Sequence, residues 1–275
     1  MIKIVVGLGE NENIKFACER VKDIPNLDIE IVTSVDDIID AFKDDEVDAI
    51  IRGSLNSSVL LKQIKNFSES EIVRATYIKE KIDNVHSNNH DNLNNNAFEF
   101  LLSPVGIDEG KNIDEKVEIA IKCCNFIKSI GKTPKIAILS SGRKDDYDRS
   151  SFIDDSLKES EILTKKLKNL LYGNELTDDD IYLGNTNDYH IKNYYILIEK
   201  AINEGNNIII PPNGVIGNII FRTLVLLNSW HSYGAIALGL NKIFIDTSRD
   251  QSVEGYYRSI KFAYNLAKFN QKGEE

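Results

Sequence analysis

Short apolar runs alternate with amphipathic stretches from the start of the chain. Ile2–Val6, Leu27–Val32 and Val47–Ile51 are short, rich in β-branched side chains, and each precedes a stretch with helical spacing. Val47–Ile51 is nearly all apolar at its centre, which is typical of a strand buried on both faces of a parallel sheet. The pattern predicts strand–helix–strand units of an α/β fold.

The alternation restarts in the middle of the chain. Ile72–Ile78 and Ala97–Ser103 are predicted strands, and a helix is predicted from about 113 to 129. Gly131–Pro134 then interrupts the pattern, and Lys135–Leu139 begins a second series. In that series the predicted helices cover 155–171, 189–203, 219–227 and 251–269, and the predicted strands cover 182–184, 208–210 and 243–245.

Polar residues and glycines follow the last two of these strands. Asp246–Arg249 comes directly after 243–245, and Asn213–Asn218 comes just after the prolines that close 208–210. In an open α/β sheet, ligands bind at the carboxyl ends of the strands. A serine hydroxyl beside a guanidinium, and closely approaching backbone N–H groups, suit a phosphate-like anion. The predicted anion-site residues from these loops are Ser248, Arg249, Asn213, Gly217 and Asn218.

Two earlier loops have the same placement. Arg52–Ser58 follows 47–51, and Ser140–Arg149 follows 135–139. From local sequence alone, a serine helix cap or a solvated surface loop explains them equally well. The candidate anion-binding residues in these loops are Arg52, Ser54, Ser57, Ser140, Ser141 and Arg143.

Taken together, these residues resemble a known family. Ile208–Pro211, Gly217–Ile219, Ala235–Gly239 and Asp246–Val253 resemble, in this order, the C-terminal signature of the phosphate acetyl/butyryltransferases. That family transfers acyl groups between coenzyme A and phosphate. Ile50–Ser58 resembles its early strand, Gly-Ser turn and helix.

A second set of residues extends the resemblance. Pro134–Ser141, followed by Ser160 and Glu161, resembles the start of the family's second domain. The Ser140–Tyr147 loop and the short chain are closer to a methanogen branch, whose members carry the name methyltransferase subunit X.

The resemblance implies two α/β domains with mostly parallel sheets and an interdomain cleft, as in isocitrate and isopropylmalate dehydrogenases. Residues 1–128 plus 237–275 would form the first domain and 129–236 the second. It also implies a homodimer through the second domain, with the helix 215–228 in the interface. Coenzyme A or a phosphorylated substrate would be the ligand, with no tightly bound cofactor, and Ser248 and Arg249 would be the catalytic pair.

One departure separates this chain from the family. There a glycine follows the Ser-Arg pair and an acidic residue acts a few positions later. Here Asp250 follows Arg249, and Gly255 aligns with the position of the acid, whereas a shift of one residue would bring Glu254 to that position. Three functions stay open: a transferase acting on a phosphate- or coenzyme-bearing molecule, a methyltransferase-complex subunit, and a non-catalytic ligand-binding protein. The sequence contains no D-x-H-x-x-G corrinoid motif, so the second function depends on the branch name alone.

Charge and composition limit the classes of binding partner that we expect. The formal net charge of the 275 residues is −10 at pH 7, which argues against nonspecific nucleic-acid binding. No apolar run approaches the roughly 18 residues of a membrane helix, and the N-terminus does not resemble a signal peptide, so we expect a cytoplasmic protein.

The sequence offers no metal-ligand pattern. The 3 cysteines and 4 histidines lack the spacing of a zinc site, so no metal is expected. Cys123 and Cys124 are adjacent in a predicted helix and are interpreted as buried small hydrophobic residues, like Cys18. Gly7 and Gly9 lack the third glycine of a dinucleotide fingerprint and are interpreted as a plain turn between strand and helix.

Overall fold

The computed structural model describes residues 1–68, 71–81, 97–172, 189–227 and 230–273. By the packing of its backbone, the chain divides into two compact units. Unit 1 comprises Met1–Tyr77 and His231–Glu275, and unit 2 comprises Ile78–Trp230. Both are mixed α/β structures, as the sequence predicts. The strand predicted at 182–184 lies outside the described residues.

The strands of unit 1 are mostly parallel. Its strands are β1 (Ile2–Gly7), β2 (Leu27–Val32), β3 (Ala49–Ile51), most of β4 (Val73–Glu80), nearly all of β9 (Trp230–Leu238) and β10 (Ile243–Asp246). They pair in the order β2-β1-β3-β10-β9-β4. β1 is parallel to β2 and β3, and β10 is parallel to β3 and antiparallel to β9. The carboxyl ends of β1, β3 and β10 therefore share one edge.

Helices cover both faces of these strands. The helices of unit 1 are α1 (Asn13–Val21), α2 (Val35–Lys43), α3 (Ser57–Ile64) and α8 (Val253–Gly273). Val5, Ile50 and Phe244 lie in one core cluster with side chains of α2 and α3. Ile4 and Ile245 are fully buried and, by strand alternation, point to the other face, against which α8 packs.

Unit 2 is built on four parallel strands. They are β5 (Glu99–Leu102), β6 (Lys135–Leu139), β7 (His190–Tyr195) and β8 (Ile208–Ile210), paired in the order β5-β8-β6-β7. Its helices are α4 (Ile113–Ser129), α5 (Ser151–Tyr172), α6 (Ile198–Asn203) and α7 (Gly214–Phe221), and α7 continues into a π-helical turn at Arg222–Leu226.

The first unit boundary differs from the predicted domain boundary. The predicted domains divide the chain after 128 and after 236, whereas the compact units divide it after Tyr77 and after Trp230. The physical reason is pairing and packing: Leu101 of β5 is paired with Ile208 of β8, and α4 packs on α5 and β8. Residues 97–128 therefore belong to the second compact unit.

One local prediction was wrong, and one strand had no prediction. The helix predicted at 189–203 is the strand β7 followed by the short helix α6, because the tyrosine-rich segment pairs along β6. The small residues 233–238, which received no element, belong to the strand β9, because they pair with β10. In both cases pairing within the sheet decided the structure.

Candidate functional site

The loop after β10 has a fixed backbone and exposed side chains. Ser248 and Arg249 are exposed, whereas the preceding Thr247 is 2% exposed and its hydroxyl donates a hydrogen bond to the carbonyl of Gly53 at 2.8 Å. The hydroxyl of the buried Tyr256 donates to the carbonyls of Ser248 and Arg249, each at 3.0 Å. The loop is thus held by Tyr256 of helix α8 and by Gly53 in the loop after β3.

A third contact comes from the segment after β1. The amide of Asn11 donates to the carbonyls of Arg249 at 2.8 Å and Gln251 at 3.0 Å, and Asn13 donates to Gln251 at 3.1 Å. These bonds use backbone acceptors only. The Ser248 hydroxyl accepts one long hydrogen bond from the amide of Asp250, at 3.4 Å.

The guanidinium of Arg249 has no hydrogen bond or salt bridge to any residue that the structure describes. The nearby carboxylate of Asp246 is taken by other arginines. Arg52 donates to one of its oxygens through Nε, and Arg74 approaches the other at 3.4 Å. A structural salt bridge between Arg249 and Asp246 or Asp250, the simplest non-functional explanation of Arg249, is therefore not formed.

Arg52 itself has a structural role in unit 1. It is 5% exposed, and beyond its bond to Asp246 its Nη1 donates to the carbonyl of Leu55 at 2.5 Å. A buried guanidinium is stable only when its charge and its N–H groups are satisfied in this way. The sequence predicts that Arg52 binds an anion. In the structure its side chain is buried and paired with Asp246.

Ser54 joins the loops after β1 and β3. It is 4% exposed, and its hydroxyl accepts from the amide of Gly9 at 2.8 Å and donates to the carbonyl of Asn11 at 3.3 Å. Gly53 beside it has a φ of +62°, and a Cβ there would lie 1.7 Å from the carbonyl oxygen of Gly7. Only glycine fits at position 53, and the turn starting at Gly7 is a packed βα turn, as interpreted.

Ser57 is the first residue of α3 and is half-buried. The cap of this helix is Asn56, whose side chain accepts from the amide of Ser58 at 3.0 Å. The first turn of α3 contains no acidic residue, so the partial positive charge at its N-terminus is not neutralised within the turn.

In unit 2 the loop after β6 contains three exposed cations, Arg143, Lys144 and Arg149. Ser140 is buried and donates to the carbonyl of Gly142 at 3.0 Å, and Ser141 is bonded to Ser156 through its amide at 2.9 Å and its hydroxyl at 3.1 Å. Arg143 is exposed, and its guanidinium has no partner among the residues of the described part. Of these three predicted contacts, Arg143 is the side chain that stays available.

The loop after β8 is used for packing. A Cβ at Gly214 would lie 1.6 Å from the carbonyl oxygen of Gly106, and a Cβ at Gly217 would lie 1.9 Å from that of Pro104. The amide of Gly214 donates to the carbonyl of Glu109 at 3.1 Å. Both glycines are therefore explained by close contact between α7 and the loop after β5.

Polar side chains complete that contact. Asn213 caps α7 by accepting from the amide of Ile216 at 3.0 Å, and Asn218 donates to the carbonyl of Val105 at 3.1 Å. The amides of Gly214 and Ile216 at this helix start are thus already bonded within the protein. The structure gives Asn213, Gly217 and Asn218 packing and capping roles.

Sequence reasoning missed several buried polar residues. Lys116 is 3% exposed and donates to the carbonyl of Pro212 at 2.7 Å and to Glu159 at 2.8 Å. The signal was present, because Lys116 occupies an apolar position of the α4 pattern, one residue before the buried Val117. Asn11 and Tyr256 gave no comparable signal, because their partners are backbone atoms of a distant loop.

An aromatic cluster lies at the ends of β6 and β7. The hydroxyls of Tyr147 and Tyr195 both donate to the carboxylate of Glu161, each at 3.2 Å. Burial, followed by the charge of Glu161, raises the pKa of both tyrosines above the ordinary value of 10. Both hydroxyls therefore stay protonated and remain donors at neutral pH.

A cavity of about 270 Å³ lies between the first strands and α2. Its charged lining includes Lys3, which is 3.4 Å from Glu30 and 3.3 Å from Asp44. Lys3 pairs with both carboxylates, Asp37 and Asp40 add further negative charge to the lining, and none of the predicted anion-site residues lines this cavity.

The cysteines behave as the sequence indicates. All three are buried, and burial raises the pKa of Cys18 and of Cys124 to about 12 and that of Cys123 well above its usual range. Across the described ranges, no group of three or more His, Cys, Asp or Glu side chains is placed to hold a metal ion. The helices in those ranges also include none long and apolar enough to cross a bilayer.

Comparisons with known proteins agree with the resemblance. The sequence profile of the family described as "Phosphate acetyl/butaryl transferase" matches residues 42–263. An uncharacterized methyltransferase of Methanocaldococcus jannaschii is 33% identical over 269 residues, which cover 95% of this chain and 97% of that protein. A Methanosarcina barkeri protein with the provisional name methyltransferase mtx subunit X is 32% identical over 232 residues, covering 84% of this chain and 73% of that protein.

Solved structures share the fold. A branched-chain phosphotransacylase from Enterococcus faecalis V583 superposes with a TM-score of 0.70 at 14% identity, covering 97% of this chain and 99% of that one. Isocitrate dehydrogenase from Methylococcus capsulatus gives a TM-score of 0.54 at 10% identity, covering 98% and 88%. The expected phosphotransacetylase-type α/β fold is thereby confirmed, and on the profile match and these relatives the chain belongs to the phosphate acetyl/butyryltransferase family.

Proposed function

We propose that this protein is a transferase-like member of its family that binds a phosphate- or coenzyme-bearing small molecule through Ser248 and Arg249. One observation supports the proposal above the others. The backbone of this loop is held by four side chains, while the guanidinium at its tip has no partner among the described residues. A structural arginine is usually paired, whereas a ligand-binding one is kept available.

The chemistry follows from these two groups. A guanidinium can pair with two oxygens of a phosphoryl or acyl phosphate group and keeps its charge at any physiological pH. The Ser248 hydroxyl would donate one further hydrogen bond to an oxygen that gains negative charge during transfer. Coenzyme A or a phosphorylated substrate would be the ligand, and no tightly bound cofactor is required.

Substitution of Arg249 tests the proposal directly. Losing a charged hydrogen bond costs about 1.5–3 kcal/mol, so Arg249→Ala should weaken binding of phosphate or coenzyme A roughly ten- to a hundredfold. The melting temperature should stay unchanged, and Arg249→Lys should restore affinity only in part. Calorimetric titration with phosphate, acetyl phosphate and coenzyme A measures these effects. Arg149→Ala is the matched control, because Arg149 is 71% exposed and paired with Asp146.

Whether the bound molecule turns over depends on α8. Gly255 occupies the position of the family's acid, and the adjacent Glu254 is engaged by Arg20. A Cβ at Gly255 would lie 2.2 Å from the side chain of Gln251, so an acidic side chain there would require Gln251 to move. Binding without acyl transfer from acetyl phosphate to coenzyme A would favour a non-catalytic ligand-binding role.

A second candidate function is a subunit of a methyltransferase complex. The names of the relatives from Methanosarcina barkeri and Methanosarcina mazei favour it, because both describe a subunit of a methyltransferase. The expectation is that tagged protein retrieves other subunits from a methanogen lysate in fixed stoichiometry. If the protein is recovered alone while it still binds phosphate, this candidate fails and the first stands.

The exposed apolar residues of unit 2 support a homodimer. Val215 and Ile219 on α7, with Leu226 and Leu227 after it, are between 49% and 74% exposed. Apolar side chains grouped on one surface helix are typical of an interface. We expect Ile219→Glu to convert a dimer into monomers in analytical ultracentrifugation, and a monomeric wild-type protein would contradict the dimer.

A further inference from the structure

Hydrogen bonds from buried or half-buried side chains tie the loops after β1, β3 and β10 into a ring. Ser54 joins the first loop to the second, Thr247 joins the second to the third, and Asn11 joins the first to the third. All three links run from a side chain to a backbone atom, so they define where the backbone lies and leave the side chains of Ser248 and Arg249 outside the ring.

Tyr256 adds a contact from helix α8 to this ring of loops. It lies in the first turn of α8 and is fully buried, and its one hydroxyl donates to two consecutive carbonyls, those of Ser248 and Arg249. Burial raises the pKa of Tyr256 above its ordinary value of 10, so the hydroxyl keeps its proton at neutral pH. The groups facing it include Arg52, Ser54 and Asp250.

We propose that Tyr256 and Asn11 are positioning residues that hold the Ser248–Arg249 backbone in its anion-binding conformation. This inference depends on the proposed function of the loop. Neither side chain reaches outward to a ligand, since the donors described here are used on the carbonyls of Ser248, Arg249 and Gln251.

The physical reason is the entropy of an exposed loop. Without fixed carbonyls, residues 248–251 would sample several backbone conformations, and a ligand would have to select one of them. Holding the backbone before binding removes that cost, which is how a rigid supporting shell raises affinity. The carbonyl of Arg249 receives bonds from both Asn11 and Tyr256, so each residue limits the movement that loss of the other allows.

The variants follow from the geometry. Tyr256→Phe removes only the donor and keeps the buried ring, and Asn11→Ala removes the second donor from a half-buried position. Tyr257→Phe is the matched control, because this neighbouring phenol contacts Arg20 and Lys261 through its ring. All three changes leave the core of α8 in place.

Two measurements test the inference. In the free protein, hydrogen exchange of the Asp250 amide, which donates to the Ser248 hydroxyl, should rise about fivefold in Tyr256→Phe and in Asn11→Ala, with β1 unchanged. Phosphate and coenzyme A affinity, measured by calorimetry, should fall about fivefold in each variant, the effect expected from losing one hydrogen bond of ordinary strength. Tyr257→Phe should leave both quantities as in the wild type.

The outcomes separate the two proposals. Two results would overturn the positioning role and leave the proposed function in place. One is unchanged exchange of the Asp250 amide. The other is unchanged affinity in Tyr256→Phe and Asn11→Ala when the wild-type protein binds phosphate and Arg249→Ala does not. If the wild-type protein binds neither phosphate nor coenzyme A, the proposed function fails, and the exchange measurement still decides whether Tyr256 and Asn11 fix the loop. In an Arg249→Ala background, adding Tyr256→Phe should cause a smaller loss of affinity than in the wild-type background, because only Ser248 is left to be positioned.

Discussion

The loop after β10 and the loop after β8 follow buried strands of the same kind, yet they use their polar residues in opposite ways. After β8, Asn213 caps the helix, Asn218 bonds to Val105, and two glycines allow backbone contact. After β10, the backbone is bonded from three directions while Ser248 and Arg249 stay exposed. A polar turn at a strand's carboxyl end therefore indicates a ligand site only when the backbone of the turn is hydrogen-bonded within the protein and its side chains are still available to a ligand.

Packing at the β8 loop gives the largest expected effect. Gly214→Ala would place a methyl group 1.6 Å from the carbonyl oxygen of Gly106, and neither backbone segment can give way easily. We expect the free energy of unfolding to fall by at least ~3 kcal/mol, measured by urea denaturation. Val59→Ala on α3 is the control and should be nearly neutral, because Val59 is 47% exposed. A stable Gly214→Ala variant would contradict the packing role.

Arg52 should matter for stability more than Arg249. Removing one member of a buried ion pair leaves an uncompensated charge, although Arg74 still faces Asp246 at 3.4 Å. Arg52→Ala is therefore expected to lower the free energy of unfolding by about 2–3 kcal/mol, against less than about 0.5 kcal/mol for Arg249→Ala. Equal losses in thermal denaturation would show that the two arginines do not differ as described.

The cap of α7 should show a smaller effect. Asn213→Ala removes the acceptor for the amide of Ile216 and should cost about 1 kcal/mol, whereas Asn213→Ser should keep most of the stability. Phosphate affinity measured on both variants sharpens the comparison. If Asn213→Ser keeps its stability but loses affinity, Asn213 takes part in phosphate binding in addition to capping α7.

The smallest effect concerns acid stability in unit 2. Glu204 accepts hydrogen bonds from Lys192 at 2.7 Å and Tyr194 at 2.6 Å, and these lower its pKa below the ordinary value of 4.5. A lowered folded-state pKa stabilises the protein above the unfolded value, and this stability is lost as the pH falls through the folded one.

Glu204→Gln should therefore lose less stability than the wild-type protein between about pH 5 and pH 3, in urea titrations at each pH. Glu199→Gln, exposed on the same helix, serves as the control. Parallel curves for the wild-type protein and Glu204→Gln would contradict this origin of the acid sensitivity.

Much of the fold could be predicted because its signals are local. The strands around β1 and β3 are short apolar runs, and Ser34 forms the capping box of α2 that its spacing to Asp37 indicates. β7 and β9 could not be predicted, because their strand state depends on partners far away in the sequence. The sequence placed Ser248 and Arg249 at the end of a buried strand, which is where they lie.

The sequence could not separate the roles of the predicted anion-site residues. Arg52, Arg143 and Arg249 all follow a predicted buried strand, and only their contacts show that the first is buried and paired while the other two are exposed. Asn11 and Tyr256 act on backbone carbonyls, which carry no residue-specific signal. Pairwise geometry in three dimensions is required to separate such roles.

The position of β10 in the sheet has a consequence for synthesis on the ribosome. Ile243 and Ile245 pair with Ala49 and Ile51 of β3, so a strand near the C-terminus lies inside the sheet that the N-terminal residues begin. Until residues 243–246 emerge, the edge of β3 stays unpaired, and an open apolar edge is prone to wrong pairing with other chains. Unit 1 therefore completes its fold only after residues 243–246 have been synthesised, and unit 2, which is continuous in sequence, can form before then.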